Sequence, residues 1–258
     1  MTGRQSRIAT KVSGVTVIRS VLFNIVFYLN LVFFMIIGVV GFATPRRMVK
    51  ALLVSWAETS CWWLKVLAHV KVEIRGRERI PQGGVLVAVK HQSLWETFAL
   101  FTMLNDPAIV LKRELLWIPV FGWYIRRLGM IPVDRKAGAR ALRRMEKLAH
   151  KAIEQDRQVV IFPEGTRRAP GAPPDYKSGI AALCLSLGLP CVPVALNSGL
   201  FWPRRRFMRY PGTIVIQFLD PITPHCDRKG FSAELETRLE TATSRLIDEA
   251  RSLRAGPL

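Results

Sequence analysis

His91 and Glu96 bracket the stretch His91-Gln-Ser-Leu-Trp-Glu96. If a helix begins near Ser93, Glu96 falls in its first turn, and its carboxylate can fold back to one ring nitrogen of His91. The other nitrogen then faces outward as a general base. A carboxylate partner fixes the imidazole tautomer and stabilises the imidazolium that forms on proton transfer. Such a dyad would activate an external hydroxyl. The same residues also fit a capping or buried histidine beside a solvent-facing helix glutamate. Ser93 is a third option as a nucleophile, at an awkward reach only two residues from His91.

A second group is Glu164-Gly165-Thr166-Arg167-Arg168. Gly165 permits a tight turn after a buried strand. Arg167 can offer a bidentate fork to a phosphate, and Thr166 can add a hydroxyl. Glu164 can either hold Arg167 or accept a substrate hydroxyl. A plain strand-end turn with a surface ion pair would use the same residues. The third group runs from Lys112-Arg113-Glu114-Leu115 through Pro119, Gly122 and Gly129 to Asp134-Arg135. Its Lys112 and Arg135 add positive charge, and Leu116, Trp117, Val120, Phe121 and Trp123 lie beside them. Apolar surface next to a phosphate site suits an amphipathic lipid, though aromatics of this kind equally build a core.

The elements that carry these groups alternate. Apolar runs at 70–74, 85–89, 108–111, 130–133, 159–162, 191–196 and 214–218 read as strands, several nearly continuous in Val, Ile and Leu. That pattern belongs to strands covered on both faces. Between them lie helical stretches. Leu142, Met145, Leu148 and Ala152 share one face. Leu235, Leu239, Ala242, Leu246, Ala250 and Leu253 share another, on a last helix that Ser232 would cap. Strands alternating with helices imply an α/β fold with a mainly parallel, mixed sheet. Lys90-His91, Lys112-Arg113, Asp134-Arg135 and Glu164 to Arg167 each follow a strand. Parallel strands would gather all four groups on the carboxyl rim, where open α/β sheets bind ligands.

The first 70 residues are different. No charged residue occurs from 21 to 42. As a helix this run would be roughly 33 Å long, enough for a bilayer core of about 30 Å. Pro45 ends it. Basic residues flank it on both sides, so the positive-inside rule sets no orientation. A second segment, 51–70, carries Trp56, Trp62 and Trp63, with Lys50, Glu58, Lys65 and His69 near one face. The pair reads as a partly inserted two-helix membrane anchor over 1–70, ahead of a catalytic domain over 71–258. The net charge of +19 on a chain that is half hydrophobic places the protein at an anionic surface. Arg204, Arg205, Arg206 and Arg209, interleaved with Phe201, Trp202, Phe207 and Tyr210, read as an interfacial patch. Four cysteines without a C-x-x-C exclude a disulfide scaffold, and the apolar content excludes disorder.

Taken in order, His91-Gln-Ser-x-x-Glu96, Lys112-x-Glu-Leu with Pro119 and Gly122, Phe162-Pro163-Glu164-Gly165-Thr166-Arg167, and Val192-Pro193-Val194 resemble the four motifs of glycerolipid acyltransferases. The chain looks like a bacterial 1-acyl-glycerol-3-phosphate acyltransferase from about Ile80 to Gly199. Glu96 stands where that family usually has Asp, one methylene longer but of the same chemistry. The resemblance implies acyl transfer from a thioester to the sn-2 hydroxyl of a lysophospholipid, giving phosphatidic acid for phospholipid biosynthesis. His91 and Glu96 would be the catalytic pair. Arg167, with Lys112 and Arg168, would hold the acceptor phosphate, and Glu164 and Gly165 would shape the glycerol site. It implies no metal and no cofactor; acyl-CoA or acyl carrier protein serves as co-substrate. The partners would be the lysophospholipid, the donor and an anionic membrane, at the cytoplasmic face of the inner membrane, without nucleic acid. The alternatives are a sibling enzyme acting on a lyso-ornithine lipid or glycerol-3-phosphate, and, distantly, a membrane-tethered nucleic-acid-binding module.

Overall fold

Strands that lack polar alternation must be covered on both faces, and the computed structural model, which describes residues 13–40, 44–223 and 227–255, shows them so covered. The strands are β1 (Val70–Arg75), β2 (Val85–Val89), β3 (Pro107–Lys112), β4 (Ile131–Val133), β5 (Gln158–Ile161), β6 (Cys191–Leu196) and β7 (Gly212–Phe218). They form one sheet in the order β1-β7-β6-β2-β5-β3-β4. The five strands from β6 to β4 are mutually parallel; β7 runs antiparallel to β6, and β1 is parallel to β7. The sheet is therefore mixed and mainly parallel, as the sequence implies.

The helices are α1 (Gly14–Val40), α2 (Arg46–Ala68), α3 (Trp95–Met103), α4 (Phe121–Arg127), α5 (Gly138–Ile153), α6 (Gly179–Leu187) and α7 (Arg228–Ala255). Alternation along β2 divides them. Val85, Val87 and Val89 join a core with α1, α2 and α3. Leu86 and Ala88 join a second core with α5, α6 and α7. The last helix starts earlier than Ser232. Asp227 caps it, accepting the Gly230 N–H at 2.7 Å, so Ser232 lies inside the first turns.

α1 and α2 form an antiparallel pair on the first face. Asn30 Nδ2 donates to Thr59 Oγ1 and Ser60 Oγ, both at 3.0 Å, and the Phe27 and Trp56 rings lie 5.9 Å apart. α1 is a two-sided helix. Phe23 and Phe27 are buried in the core, while Ile18, Leu22, Ile25, Leu29, Phe33 and Ile36 face outward. Of the three tryptophans read as headgroup-zone residues, Trp62 is exposed, whereas Trp56 and Trp63 pack against the core.

The basic loop between β6 and β7 departs from the interfacial patch expected of it. Arg204, Arg205 and Arg206 are exposed, as is Phe207, but Arg209, Phe201 and Trp202 are buried. The Arg209 guanidinium donates to the carbonyls of Arg206, Phe207 and Met208 at 2.8, 2.9 and 3.0 Å and to Asn24 Oδ1 at 2.9 Å. Its Cζ lies 4.3 Å from the Trp202 ring centroid. Burial lowers its pKa to about 10. Ser20 Oγ accepts the Arg209 backbone N–H at 2.9 Å, and Asn24 Nδ2 donates to Phe207 O at 3.0 Å. The polar residues of the apolar helix are thus spent on this loop, and α1 is keyed to the domain. Arg209→Ala strands Asn24 Oδ1 and the carbonyls of Arg206 and Met208, while Phe207 O keeps the Asn24 amide. It is expected to lower stability by about 2–4 kcal/mol in detergent-solubilised protein and to speed amide exchange in α1. Wild-type melting and exchange would refute this account.

Candidate active site

The parallel strands bring the chemical groups together. β2 ends at Val89, and the next two residues leave on opposite sides: Lys90 toward α7 and His91 toward α3. Ser93 Oγ accepts the Trp95 N–H at 3.2 Å, opening α3 with Glu96 in its first turn. Glu96 is fully buried. Its Oε1 lies 2.9 Å from His91 Nδ1 and accepts the backbone N–H groups of Gln92 and Ser93 at 2.7 and 2.6 Å. Its Oε2 accepts the Ser198 hydroxyl at 2.8 Å. The carboxylate therefore satisfies the helix start and the imidazole together. The His91 ring stacks on Phe162, with centroids 4.0 Å apart. With Nδ1 held, Nε2 is the nitrogen free for chemistry.

His91 lines a cavity of about 1020 Å³. One part of its wall is apolar: Phe34 and Met35 of α1, Leu53 and Trp56 of α2, Phe98 of α3 and Tyr124 of α4. The other part is polar and carries Lys112, Arg135, Glu164, Gly165, Thr166 and Arg167. Gly165 has φ +62°, a conformation that side chains disfavour, and a methyl group built on it would lie 3.9 Å from the Arg135 guanidinium carbon. Arg168 N donates to His91 O at 2.8 Å, which ties the Glu164–Arg168 turn directly to the histidine. Desolvation is the main influence on Arg167 and lowers its pKa; the Glu96 charge acts in the opposite sense, and Arg204 and Arg205 lower it further. Arg167 Nε is buried without a hydrogen-bond partner.

A third cluster lies behind the turn. Lys90 Nζ sits 3.0 Å from Glu164 Oε1 and also contacts Glu240 Oε1 of α7. Tyr176 donates to the same Glu240 oxygen at 2.8 Å, and its ring centroid is 5.5 Å from the ammonium. Burial raises the Glu164 pKa against the opposing pull of Lys90. Lys112 is exposed and pairs with Glu114 at 3.1 Å. Its loop is held by Gly122, where an added Cβ would meet Leu116 O at 2.0 Å.

Comparison with known proteins gives the family. A family model described as Acyltransferase matches residues 71–197. A 1-acyl-sn-glycerol-3-phosphate acyltransferase from Pseudomonas aeruginosa is 34% identical over 242 residues, 92% of this chain and 93% of that protein. The chain belongs to the 1-acyl-sn-glycerol-3-phosphate acyltransferase family. A 1-acyl-sn-glycerol-3-phosphate acyltransferase alpha from Homo sapiens is 33% identical over 137 residues, 52% of this chain and 48% of its own length. The crystal structure of the 1-acyl-sn-glycerophosphate (LPA) acyltransferase, PlsC, from Thermotoga maritima shares the fold, with a TM-score of 0.74 and 22% identity over 89% of this chain and 97% of that one.

Within this acyltransferase, the residues singled out from sequence occupy different positions. His91, Glu96, Lys112, Glu164, Gly165, Thr166 and Arg167 converge: Glu96 through its bond to His91, the others on the cavity wall. Arg168 does not line the cavity: its guanidinium donates to Pro173 O at 2.6 Å, lies 3.6 Å from Asp175 and keeps its Nε 3.9 Å from Glu164 Oε1. Ser198, Tyr176 and Glu240 were not legible as part of the site, since each arrives from a distant segment. Lys90 was read on the rim beside His91, but its carboxylate partners did not follow from the sequence. Among the described residues no group of three His, Cys, Asp or Glu is placed to hold a metal ion.

Lys90→Met would remove the cation that Glu164 and Glu240 share, leaving Glu164 only the Arg168 guanidinium at 3.9 Å, a loss of about 3–5 kcal/mol near neutral pH. The Glu164 carboxyl, which burial already raises, would then bind its proton more tightly folded than unfolded, so the variant loses stability as pH rises above the ordinary carboxylate range. The Tm gap to wild type should be smaller at pH 5 than at pH 8. An equal gap at both would show that Lys90 does not neutralise this pair.

Proposed function

We propose that this protein transfers a fatty acyl group from a thioester to the sn-2 hydroxyl of 1-acyl-glycerol-3-phosphate, yielding phosphatidic acid. The observation that carries the reading is a carboxylate-backed imidazole and a partly desolvated guanidinium on one cavity whose remaining wall is apolar. The acceptor needs all three features: a base for its hydroxyl, a cation for its phosphate and a greasy channel for its chain.

In this reading His91 Nε2 takes the hydroxyl proton as the oxygen attacks the thioester carbonyl carbon. Glu96 holds the tautomer and stabilises the imidazolium. The tetrahedral intermediate collapses with cleavage of the carbon–sulfur bond, and the imidazolium returns its proton to the departing thiolate. The acceptor is the nucleophile, so no acyl-enzyme forms. A thioester is already activated, and the chemistry asks for neither a metal nor a prosthetic group. Arg167 carries the phosphate, with Arg135 beside Gly165 and Lys112 across the opening. Glu164, anchored by Lys90, shapes the turn that holds Arg167.

The same reading puts the enzyme on the cytoplasmic face of the inner membrane. α1 is long and apolar enough to cross a bilayer. Yet one side of it is committed to the domain from Ser20 through Asn24 and Asn30 to Gly38, which packs on Tyr124. Such a helix suits half-immersion, with Leu22, Ile25, Leu29, Phe33 and Ile36 in lipid and the cavity opening toward it. Exposed Arg204, Arg205 and Arg206 would lie near anionic headgroups at about 1 kcal/mol each.

Thioester release coupled to lysophosphatidic acid in detergent micelles tests the chemistry. His91→Ala should lower kcat by on the order of 10²–10⁴ without unfolding; wild-type turnover would remove His91 from the mechanism. Glu96→Asp should keep substantial activity and Glu96→Ala little, whereas equal losses would mean the carboxylate does not act through His91. Arg167→Ala should chiefly raise the acceptor KM. An unchanged KM would reassign the phosphate site and reopen a phosphate-free acceptor such as a lyso-ornithine lipid.

A further inference from the structure

α5 divides into two unlike halves around its circumference. Met145, Ala149 and Ala152 are buried in the core shared with α6 and α7. On the opposite side Arg140, Arg143, Arg144, Lys147 and Lys151 are all exposed. Over the twelve residues from Arg140 to Lys151 this stripe is roughly 16 Å long. Among the described residues none of these five cations forms an ion pair. Exposed cations elsewhere in the α/β domain are of both kinds: in α7 Arg238 pairs with Glu234, Arg245 with Glu249 and Arg251 with Asp248, whereas Arg228, Lys229 and Arg204 to Arg206 form no ion pair among the described residues; what sets α5 apart is five unpaired cations in one row. An uncompensated row of like charges costs self-repulsion in the isolated protein, and a polyanion relieves it.

Two observations identify the kind of polyanion. The first is the side of the sheet. The apolar outer face of α1 lies over the core on one face, and α5 packs on the other. A surface on the far side of the sheet from the lipid-facing helix meets a soluble partner. The second is shape. A nucleotide's clustered phosphates need a concave site with converging donors. The α5 stripe is the outer face of a helix, convex and linear, and matches the acidic face of a protein. The stripe also leads somewhere: Gly138, Ala139 and Leu142, at the start of the same helix, line the catalytic cavity beside Arg135.

We infer that the exposed face of α5 docks an acidic acyl carrier protein, which delivers its thioester over the Arg135–Gly138 rim to His91. The inference rests on the acyl-transfer reading above and names the donor for it. Docking of this kind is governed by long-range charge, so it acts on association and is sensitive to salt.

The test is a triple charge reversal, Arg140→Glu, Arg143→Glu and Lys147→Glu, with the corresponding glutamine triple as a gentler companion. Both are assayed on lysophosphatidic acid with palmitoyl acyl carrier protein and with palmitoyl-CoA. The KM for the carrier-bound donor should rise about tenfold or more, with kcat retained. Turnover of palmitoyl-CoA should stay within about twofold, since the stripe touches no cavity wall it needs. Fluorescence anisotropy with labelled holo acyl carrier protein, read at low and high salt, should show salt-sensitive binding to wild type that the reversal abolishes. Flotation with phosphatidylglycerol vesicles should be unchanged. Equal losses with both donors would assign the stripe to coenzyme A phosphates. A matching loss of vesicle binding would assign it to the membrane. No binding of holo carrier protein by wild type at low salt, or unchanged kinetics with both donors, would also overturn the proposal. Carrier binding that depends on α5, in a protein that acylates no lysophosphatidic acid from either donor, would instead sink the acceptor reading and leave the docking site standing.

Discussion

A carboxylate taken out of water must find hydrogen-bond donors, or it gives up its charge. Glu96 is fully buried and finds four: the His91 ring, the backbone N–H groups of Gln92 and Ser93, and the Ser198 hydroxyl. Three of these lie in the loop between β2 and α3, and the fourth comes from the end of β6. Meeting this one demand orients the imidazole, starts α3 and joins two neighbouring strand ends. Little latitude remains for the histidine, whose other face is taken by Phe162 at the end of β5. The imidazole is thus positioned by packing and hydrogen bonds within the protein itself, the preorganisation that the proposed role as a base requires.

The sheet separates two tasks by its two-residue period. His91 and Phe162 point to the face that carries α1, α2, α3 and the apolar cavity. Lys90 points to the face that carries α7 and meets Glu164 there. One ammonium shared by two carboxylates holds the Glu164–Arg168 turn from behind, while Arg167 reaches the cavity in front. Cavity lining and structural anchoring therefore come from adjacent residues without competing for the same space.

Charge in this protein has no single use. Arg209 is buried and serves as a multidentate hydrogen-bond donor that ties α1 to a loop. Arg167 is partly desolvated with an unused donor. The α5 row is exposed and unpaired. A net charge of +19 states that anions matter; burial and pairing, residue by residue, decide which cations meet them.

Much was legible in the linear chain because it depends on local chemistry. Seven apolar runs became seven strands, with boundaries shifted by one or two residues. The spacing from His91 to Glu96 suffices for the dyad, because a helix start places both within one turn. The rim of strand-end groups followed from parallel order. Other features needed the third dimension. Ser198 lies 102 positions from Glu96 and Glu240 lies 150 from Lys90, so no spacing rule connects them. Arg209 looked like its exposed neighbours Arg204 to Arg206, and only the arrival of Asn24, 185 residues away, turned it inward. Arg168 stood in the same motif as Arg167, yet it lies off the cavity, between Glu164 and the Pro173 carbonyl. Periodicity and short motifs report what a residue can do within a turn or a strand. Which of several like residues does it is settled by long-range packing, because burial and partners are properties of the folded neighbourhood and not of the chain.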